Sequence, residues 1–393
     1  MEKQQTKTKS MSFTGAFAVA CVLFGSHAGG GFATGNQATQ YYVRYGWTAP
    51  IMAVIAMALL TLTIRECIIM YNSRSLSSYK ELFQALYHPY DKLSVLFEIY
   101  FYTMVVCAVG AVIAGAASLL NKTYSIPYAY AVISVGVLLL AMTIFGASMV
   151  SRASTVMSVG ILASCAVIFI LGIGAKAPEI SHIFAVRGNT NVGRGILNAF
   201  TYAGFQSVVI PTMISCGKTL KNPKDVSKSM IISFVINSIA LVMSIIMLLG
   251  WYTEFTQAGE STLPTLYITG QLGKPYVFWA YNICLFLCFI STGVTTIYGV
   301  VEKFEKVEIL SGINNIFVKR IVVSCLIMII SMGISMIGLD KIIKYGYGYM
   351  GYLGIAIIII PFLTIGAYKN RKYLKSIEGK APSNSKLAEE AEF

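Results

Sequence analysis

Charged residues are scarce in this chain: Asp, Glu, Lys and Arg together make up 12% of its 393 residues. A soluble globular protein carries about 25% charged residues, so this chain cannot cover a water-exposed surface of its size with polar groups. Hydrophobic residues account for 56%, and the mean hydropathy is +0.69. These values exclude a disordered chain, a coiled coil and a collagen-like protein. They indicate a polytopic membrane protein.

Motifs of enzyme chemistry are also missing. The chain has three histidines, and it contains no H-E-x-x-H, G-x-S-x-G or P-loop sequence. Its eight cysteines lie in or beside apolar stretches, where they act as small hydrophobic residues rather than as a disulfide framework or a zinc site. The sequence therefore predicts no enzyme, no ATP-driven pump and no cofactor apart from a coupling ion.

Long apolar runs are abundant instead. A helix that crosses the hydrocarbon core needs about 20 apolar residues. Runs of this kind predict an all-α protein with about ten transmembrane helices, and Ser151 and Arg152 are predicted to form the turn between the fourth and the fifth. The first run has no A-x-A cleavage site, so we interpret it as a transmembrane helix and not as a signal peptide. The runs are 12–44 (interrupted), 47–70, 92–120, 127–149, 152–174, 192–216 (interrupted), 226–250, 273–301, 317–338 and 345–368.

The distribution of basic residues predicts the orientation. With ten helices and a cytoplasmic N-terminus, 22 of the 30 basic residues fall on the cytoplasmic side. Basic residues concentrate on that side of membrane proteins, so we expect a multi-pass protein of the cell membrane with both termini in the cytoplasm. The net charge of +13 then faces anionic lipid of the bilayer and does not indicate a nucleic-acid partner. The basic residues predicted outside are Arg44, Lys122, Lys176, Arg187, Arg194, Lys274, Lys341 and Lys344.

The first predicted helix contains the sequence F-G-S-H-A-G-G-G-F at 24–32. Each glycine costs a helix about 1 kcal/mol relative to alanine. Small residues that allow close helix packing would explain Gly25 and Gly29, which are four residues apart, but not the run 29–31. Unwound backbone inside a membrane is tolerated only where it is buried in protein or lines a cavity. We therefore expect helix 1 to be broken at a functional site.

The sixth predicted helix has a related but weaker interruption, N-A-F-T-Y-A-G-F-Q-S at 198–207, with Pro211 beyond it. It opens a second set of five helices, and an odd number of helices per repeat inverts the second copy. Interrupted helices at matching places in two halves point to a transporter binding site. The predicted parts are a cytoplasmic tail (1–11), a first five-helix repeat (12–174), an extracellular loop (175–191), a second five-helix repeat (192–368) and a cytoplasmic tail (369–393).

Four segments carry a family resemblance. They are the broken first helix followed by G-F-A-T-G (31–35), F-T-Y-A-G-F (200–205), S-T-G-V-T-T-I-Y-G-V-V-E-K (291–303) and K-Y-G-Y-G-Y-M-G-Y-L-G (344–354). Together they resemble the YkvI-like bacterial membrane proteins of the amino acid–polyamine–organocation superfamily. The resemblance implies the LeuT-type fold of two inverted five-helix repeats, with substrate held between helices 1, 3, 6 and 8 near the bilayer midplane.

The same resemblance implies a small-molecule site at the two breaks. Unwound N–H groups at the start of the second half of helix 1 would bind a substrate carboxylate. The residues themselves add a further expectation: aromatic side chains of helix 6 would contact an amino group, with packing between helices as their alternative role. The predicted substrate-binding residues are His27, Ala28, Gly29, Gly30, Gly31, Phe200, Tyr202 and Gly204.

A sodium site made of neutral oxygen atoms is implied as well. Hydrogen bonding between helices is the alternative role for the two hydroxyls on helix 8. Thr295 and Thr296, one turn further on, are a competing pair. The predicted sodium ligands are the carbonyl oxygens of Gly25 and Ala28 and the hydroxyls of Ser291 and Thr292.

Proton coupling is the alternative to sodium, with His27 and Glu98 as candidate carriers. Histidine is the side chain that titrates nearest to neutral pH. Glu98 is an ionisable residue inside predicted helix 3, where such residues are functional by default. Pairing with Lys92 near the cytoplasmic face is the other interpretation of Glu98.

These features predict a secondary active transporter that carries a small amino acid or related organic amine with Na⁺ or H⁺ by alternating access. A sensor or receptor that keeps the fold but only binds its ligand is the second hypothesis, and an ion channel is the third. The glycine–tyrosine run at 345–352 is superficially similar to a potassium filter, but it leads directly into a full helix. We interpret it as a site of close helix packing.

Overall fold

The computed structural model describes residues 13–27, 29–145, 147–188, 190–220, 222–304 and 315–378. In these ranges seven helices are long and apolar enough to cross a membrane, and helix 5 together with the short helix behind it makes an eighth. The first and sixth predicted helices are divided into shorter pieces. The predicted all-α polytopic architecture is therefore confirmed. The long helices are helix 2 (Ala49–Ser73), helix 3 (Val95–Tyr124), helix 4 (Tyr128–Phe145), helix 5 (Ala147–Ala175), helix 7 (Pro223–Gln257), helix 8 (Pro275–Phe304), helix 9 (Ile316–Ser335) and helix 10 (Leu339–Glu378).

Helix 1 is interrupted twice. Its pieces are helix 1a (Phe13–His27), helix 1b (Gly30–Ala33) and helix 1c (Asn36–Tyr41). The glycine run explains the first interruption, because glycine loses more backbone freedom in a helix than any other residue. We call the end of the bundle at which helix 1a begins the inner end and the opposite end the outer end. The charge distribution predicts that the inner end is cytoplasmic.

Helix 6 is tightened, not unwound. Its pieces, helix 6a (Val192–Gln206) and helix 6b (Ile210–Gly217), are joined by a 3₁₀ turn at Ser207–Val209. The residues on either side of this turn keep right-handed helical backbone angles. Pro211 explains the position of the turn, because proline has no N–H and its ring clashes with the carbonyl four residues earlier in a continued α-helix.

The helices pair as two inverted repeats require. Helix 1a packs on helix 7, and helix 6a packs in the equivalent way on helix 2. Helix 3 contacts its counterpart, helix 8. A short helix also lies between the second and third helices of each repeat. These are the inner connecting helix (Tyr79–Tyr87) and the outer connecting helix (Pro264–Gln271).

Some predicted boundaries differ from the structure. Ser151 and Arg152 lie inside helix 5, since single polar residues are tolerated within a helix. The predicted loop 175–191 contains the helix Ala177–Val186, which has a proline in its first turn, where proline is favourable. Helix 10 continues beyond 368 to Glu378, because the lysine and arginine residues that follow are good helix formers.

Apolar side chains cover the outward faces of the helices. Ile133, Ile170 and Ile329 are each more than half exposed in the isolated chain. Helices that are apolar on all sides are stable in a bilayer, where their backbone groups are bonded internally and lipid covers their surface. The outward faces therefore fit a chain that spans a membrane.

Candidate functional site

The first break in helix 1 lies between helices 1a and 1b. Gly29 has extended backbone angles (φ −67°, ψ −173°) and precedes helix 1b. The amides of Phe32 and Ala33 donate to the Gly29 carbonyl at 3.0 and 3.1 Å, which closes a single turn. Gly30 and Gly31 are thus helical, although the sequence predicts unwound backbone at these positions. Their N–H groups lie in the first turn of helix 1b, where an amide finds no acceptor within the helix. Ala28 lies outside the described residues.

A second bend follows one turn later, at Thr34 and Gly35. Gly35 has φ +78°, a left-handed conformation that glycine adopts without strain. A Cβ atom at this position would lie 2.7 Å from the Thr265 hydroxyl of the outer connecting helix. The Thr265 amide donates to the Thr34 carbonyl at 3.1 Å. Because helix 1b is only one turn long, the helix dipole expected to favour a substrate carboxylate at this break is weak.

Four buried polar side chains meet beside the first break. The His27 Nε2 atom lies 2.8 Å from the Tyr202 hydroxyl of helix 6a. This hydroxyl donates to Gln37 Oε1 at 3.4 Å, and the Gln206 amide donates to both Gln37 and Tyr202 at 3.5 and 3.4 Å. We call these residues the polar cluster. All four are at most 6% exposed and none carries an obligatory charge, so the cluster can bind a ligand through neutral hydrogen bonds.

The hydrogen bonds of the polar cluster have two possible arrangements. A hydroxyl has one hydrogen, so Tyr202 donates either to Gln37 or to His27 and accepts from the other donors. Asn237 of helix 7 lies on the other side of the imidazole. Within the described part of the chain, His27 Nδ1 and Asn237 Oδ1 are buried and make no hydrogen bond of good geometry. The Asn237 oxygen beside the imidazole therefore favours the His27 tautomer that carries a hydrogen on Nδ1.

An aromatic ring fills the space where helices 1, 3 and 8 meet. Phe289 of helix 8 is 1% exposed. A Cβ atom on Gly30 would lie 2.4 Å from this ring, and one on Gly115 of helix 3 would lie 2.5 Å from it. The two glycines thus make room for Phe289 between two helices. Phe289 is not among the residues predicted from the sequence, because only the three-dimensional structure shows which glycines face each other.

Helix 8 also brings hydroxyl groups to the break. The Thr292 hydroxyl lies 3.7 Å from the Cβ position of Gly29, and Ser291 is buried next to it. Thr295 is exposed and donates to the Ser291 carbonyl of its own helix at 2.7 Å. Two pairs of hydroxyl residues on helix 8 compete as predicted sodium ligands. The structure places Thr292 of the first pair beside the break, whereas Thr295 of the second pair is turned away from it. Gly25 lies on the exposed face of helix 1a, and a Cβ atom there would have no neighbour within 4 Å.

Gly204 faces helix 10 and not the polar cluster. A Cβ atom on Gly204 would lie 2.2 Å from the Gly351 carbonyl, and one on Gly354 would lie 2.4 Å from the Gly204 carbonyl. The predicted close packing of the glycine–tyrosine segment is present at these residues. Phe200 is half-buried on helix 6a. The rings of Phe205, Tyr42 and Tyr41 pack on Tyr202 instead, with ring centroids at 4.8, 5.1 and 5.9 Å.

Glu98 lies in the first turn of helix 3, close to the inner end of the bundle. Its carboxylate accepts a hydrogen bond of 3.1 Å from the Tyr79 hydroxyl of the inner connecting helix. Lys80 and Tyr102 are its other electrostatic neighbours. The structure therefore joins Glu98 to the inner connecting helix and does not bring it to the polar cluster.

The outer side of the break is closed by hydrogen bonds. The Asn36 amide of helix 1c donates to Asp340 Oδ1 at 2.6 Å and to the Thr262 carbonyl at 3.0 Å, and the Thr262 hydroxyl donates to Asp340 Oδ2 at 2.5 Å. We call these three residues the outer network. At the inner end, helix 1a has an exposed face at Phe17, Cys21 and Gly25. This asymmetry fits a conformation that is closed at the outer end.

Comparisons with known proteins identify the fold. No family model matches the sequence, and no curated protein is significantly similar to it. MhsT in complex with L-phenylalanine has a TM-score of 0.61 at 14% identity, over 93% of this chain and 99% of that one. A substrate-bound, outward-open Na⁺-coupled sialic acid symporter has a TM-score of 0.60 at 13% identity, over 89% of this chain and 79% of that one. Inward-facing Mhp1 has a TM-score of 0.55 at 12% identity, over 88% of this chain and 76% of that one.

These similarities establish the LeuT-type fold that the sequence resemblance implies. The grouping with the YkvI-like proteins rests on the sequence motifs alone.

Proposed function

We propose that this chain is a secondary active transporter that moves a small amino acid or related organic amine together with a cation by alternating access. The observation that carries the proposal is that the interrupted backbone of helix 1 meets a buried, uncharged polar cluster at the contact of helices 1 and 6. Interrupted helices and midplane binding sites occur together in transporters built from inverted repeats. The motifs at 31–35, 200–205, 291–303 and 344–354 support a place among the YkvI-like proteins.

The substrate site of this proposal lies between the polar cluster and Phe289. Tyr202 and His27 offer hydrogen bonds to a polar group of the substrate, and the N–H groups of Gly30 and Gly31 offer two more. Phe289 occupies the space toward helix 3 and limits the size of the substrate. The proposed substrate is therefore compact and not bulky.

The proposed coupling ion is Na⁺, held by neutral oxygen atoms of helices 1 and 8. The Thr292 hydroxyl, which lies 3.7 Å from the Cβ position of Gly29, supports this position. Ser291 and the carbonyls of Gly25 and Ala28 complete the proposed ligand set. Proton coupling through His27 or Glu98 is the rival hypothesis.

Uptake into proteoliposomes tests the proposal. A panel of labelled amino acids and amines is offered under an imposed Na⁺ gradient, an imposed pH gradient or no gradient. We expect accumulation of at least one compound above equilibrium with the Na⁺ gradient, abolished by a sodium ionophore. Accumulation with the pH gradient alone would show that uptake is coupled to protons. Saturable binding without accumulation would instead make the protein a sensor, and ion current without substrate would make it a channel.

The sodium site has its own test in helix 8. Replacing Ser291 and Thr292 together by alanine should raise the Na⁺ concentration for half-maximal uptake by about tenfold or more, the effect of losing roughly 1.4 kcal/mol of ion binding. Thr295→Ala is the matched control, because this hydroxyl is exposed and bonded to its own helix. An unchanged Na⁺ dependence in the double variant would place the ion elsewhere.

A further inference from the structure

The Asn36 side chain of the outer network is surrounded by more acceptors than it can serve. Its Nδ2 atom lies 2.6 Å from Asp340 Oδ1, 3.0 Å from the Thr262 carbonyl oxygen and 3.3 Å from the Ser261 carbonyl oxygen. An amide nitrogen has two hydrogens, so it cannot make a full hydrogen bond to all three oxygens. Three oxygen atoms with negative partial charge therefore converge on one point at the outer end.

The oxygen of the same amide group lacks a partner. Asn36 is fully buried, and within the described part of the chain its Oδ1 atom accepts no hydrogen bond. A buried oxygen in this state is rare in folded proteins. Half a turn about the Cβ–Cγ bond exchanges the two ends of the amide and places Oδ1 beside the three acceptors. Four oxygen atoms then face one another, and a cation between them turns their mutual repulsion into attraction.

The Asp340 carboxylate supplies the negative charge at this point. Within the described ranges, no lysine or arginine nitrogen lies within 4 Å of it. The Thr262 hydroxyl donates to Oδ2 at 2.5 Å, which fixes the orientation of the carboxylate. Asp340, Ser261 and Thr262 are partly exposed, so a cation can reach them from the solution at the outer end. A partly buried carboxylate without an ionic partner attracts such a cation.

We propose that the outer network binds a hard cation of the size of Ca²⁺ or Na⁺. Its ligands are the Asp340 carboxylate, Asn36 Oδ1 and the carbonyl oxygens of Ser261 and Thr262, and water completes the shell. Ca²⁺ is bound by oxygens of these kinds at about 2.3–2.6 Å, which leaves neighbouring ligands about 3 Å apart. The described residues contain no group of three or more His, Cys, Asp or Glu side chains placed for a metal ion. One carboxylate with neutral oxygens suits a hard cation and not a transition metal.

The cation joins three parts of the chain. Asn36 begins helix 1c, Asp340 lies at the start of helix 10, and Ser261 and Thr262 lie between helix 7 and the outer connecting helix. Opening of the outer end separates these parts and removes the ligands. The cation should therefore favour the conformation that is closed at the outer end, because a ligand shifts the population toward the state that binds it.

Cation binding is measured on the purified full-length chain in detergent, by titration calorimetry and by the midpoint of thermal unfolding. CaCl₂, NaCl or MgCl₂ is added to choline chloride buffer at constant ionic strength. With a single carboxylate, we expect a Kd for Ca²⁺ of about 1 mM, so that about 10 mM Ca²⁺ should stabilise the bound conformation about tenfold and raise the midpoint. A rise with NaCl alone would assign the site to Na⁺.

Two outcomes of these titrations would overturn the proposal. The first is an unchanged midpoint with both Ca²⁺ and Na⁺. The second is a rise with Mg²⁺ as large as that with Ca²⁺, because Mg²⁺ requires a smaller octahedral shell and an equal effect would indicate unspecific attraction of divalent cations.

Substitutions of the ligands test the site directly. Asp340→Asn keeps the shape of the side chain and removes its charge, so it should abolish the cation-dependent rise in the midpoint. Asn36→Asp adds a second carboxylate to the shell and should bind Ca²⁺ about tenfold more tightly or better, because affinity rises with the charge of the ligands. If the Asn36 amide served only as a hydrogen-bond donor, Asn36→Asp would have a lower midpoint that Ca²⁺ does not restore, and the proposal would be wrong.

Matched controls separate this site from other carboxylates and from the proposed coupling ion. Glu260→Gln removes a carboxylate that is next to Ser261 in the sequence and pairs with Lys122, so the cation response should remain. The double variant Ser291→Ala/Thr292→Ala, which alters the proposed coupling site, should also keep it. Loss of the response in Glu260→Gln as complete as in Asp340→Asn would contradict the assignment to the outer network.

Discussion

Single residues determine the shape of the candidate substrate site. Phe289 is enclosed by Gly30 on one side and Gly115 on the other, with no space for a Cβ atom at either position. A buried ring in such close contact cannot move aside without displacing a helix, because protein interiors are close-packed. The size of one side chain on helix 8 therefore sets the width of the space beside the break.

The first prediction concerns this contact. Gly30→Ala should lower the unfolding midpoint and reduce uptake at least tenfold, because its Cβ atom would overlap the Phe289 ring and overpacking costs about 1–3 kcal/mol. Phe289→Ala should admit larger substrates, at a stability cost of about 3–5 kcal/mol. The double variant should be more stable than the sum of the two changes predicts, because the residues are in contact.

Gly299→Ala is the control for an added methyl group. It lies on the same helix as Phe289, and its Cβ atom would have no neighbour within 4 Å. We expect unchanged uptake and an equal or higher unfolding midpoint, since alanine is the better helix former.

The double variant also states what would contradict the prediction. If the stability changes of Gly30→Ala and Phe289→Ala were strictly additive, the two residues would not restrict each other.

At this scale the sequence predicts some residues of the site and misses others. The glycine run at 29–31 is a local signal, because helix propensity depends on the residues themselves. His27 and Tyr202 are predicted, and the structure brings them within 2.8 Å. Gln37, Gln206 and Phe289 are not predicted, because their positions in the site depend on helix packing that the sequence does not show directly.

Among the helical elements, helix 1 shows how backbone interruptions divide one transmembrane segment. The glycine run separates helix 1a from helix 1b, and Gly35 then separates helix 1b from helix 1c. The first interruption follows from composition. The second depends on the contact of Gly35 with Thr265 of the outer connecting helix, which lies in the other repeat. The sequence therefore predicts the first break but not the second.

The second prediction concerns the outer network that holds helix 1c. Asp340→Ala removes the acceptors of the Asn36 amide and the Thr262 hydroxyl. Hydrogen bonds to charged groups contribute about 1.5–3 kcal/mol each, so the population of the conformation that is open at the outer end should rise at least about tenfold. In a variant without native cysteines, Ala33→Cys should then react faster with an impermeant maleimide added to intact cells, because Ala33 is buried behind this network.

Glu260→Ala is the matched control for the loss of a carboxylate at the outer end. Glu260 pairs with Lys122 at the surface and takes no part in the outer network. Surface ion pairs contribute little, so the labelling rate of Ala33→Cys should not change. If Ala33→Cys reacted with the maleimide at the same rate in the Asp340→Ala and Glu260→Ala variants, the outer network would not be what closes this end.

For the molecule as a whole, the inverted repeat is the part of the fold that sequence reasoning predicts best. The interrupted helices open the two repeats, and each repeat has a connecting helix between its second and third members. The pairing of helix 1a with helix 7 and of helix 6a with helix 2 follows the same symmetry. The start of helix 5 and the end of helix 10 are predicted less well, because polar and charged residues do not by themselves stop a helix.

The last prediction tests this symmetry across the membrane. Lys92 and Lys274 occupy equivalent places, each shortly before the third helix of its repeat. If the repeats are inverted, these residues lie on opposite faces. In the cysteine-free background, Lys274→Cys should react with an impermeant maleimide in intact cells, and Lys92→Cys should react only after permeabilisation. Reaction of both in intact cells would rule out inversion. Reaction of Lys92→Cys alone would keep the inversion and reverse the predicted orientation, since the basic residues would then concentrate outside.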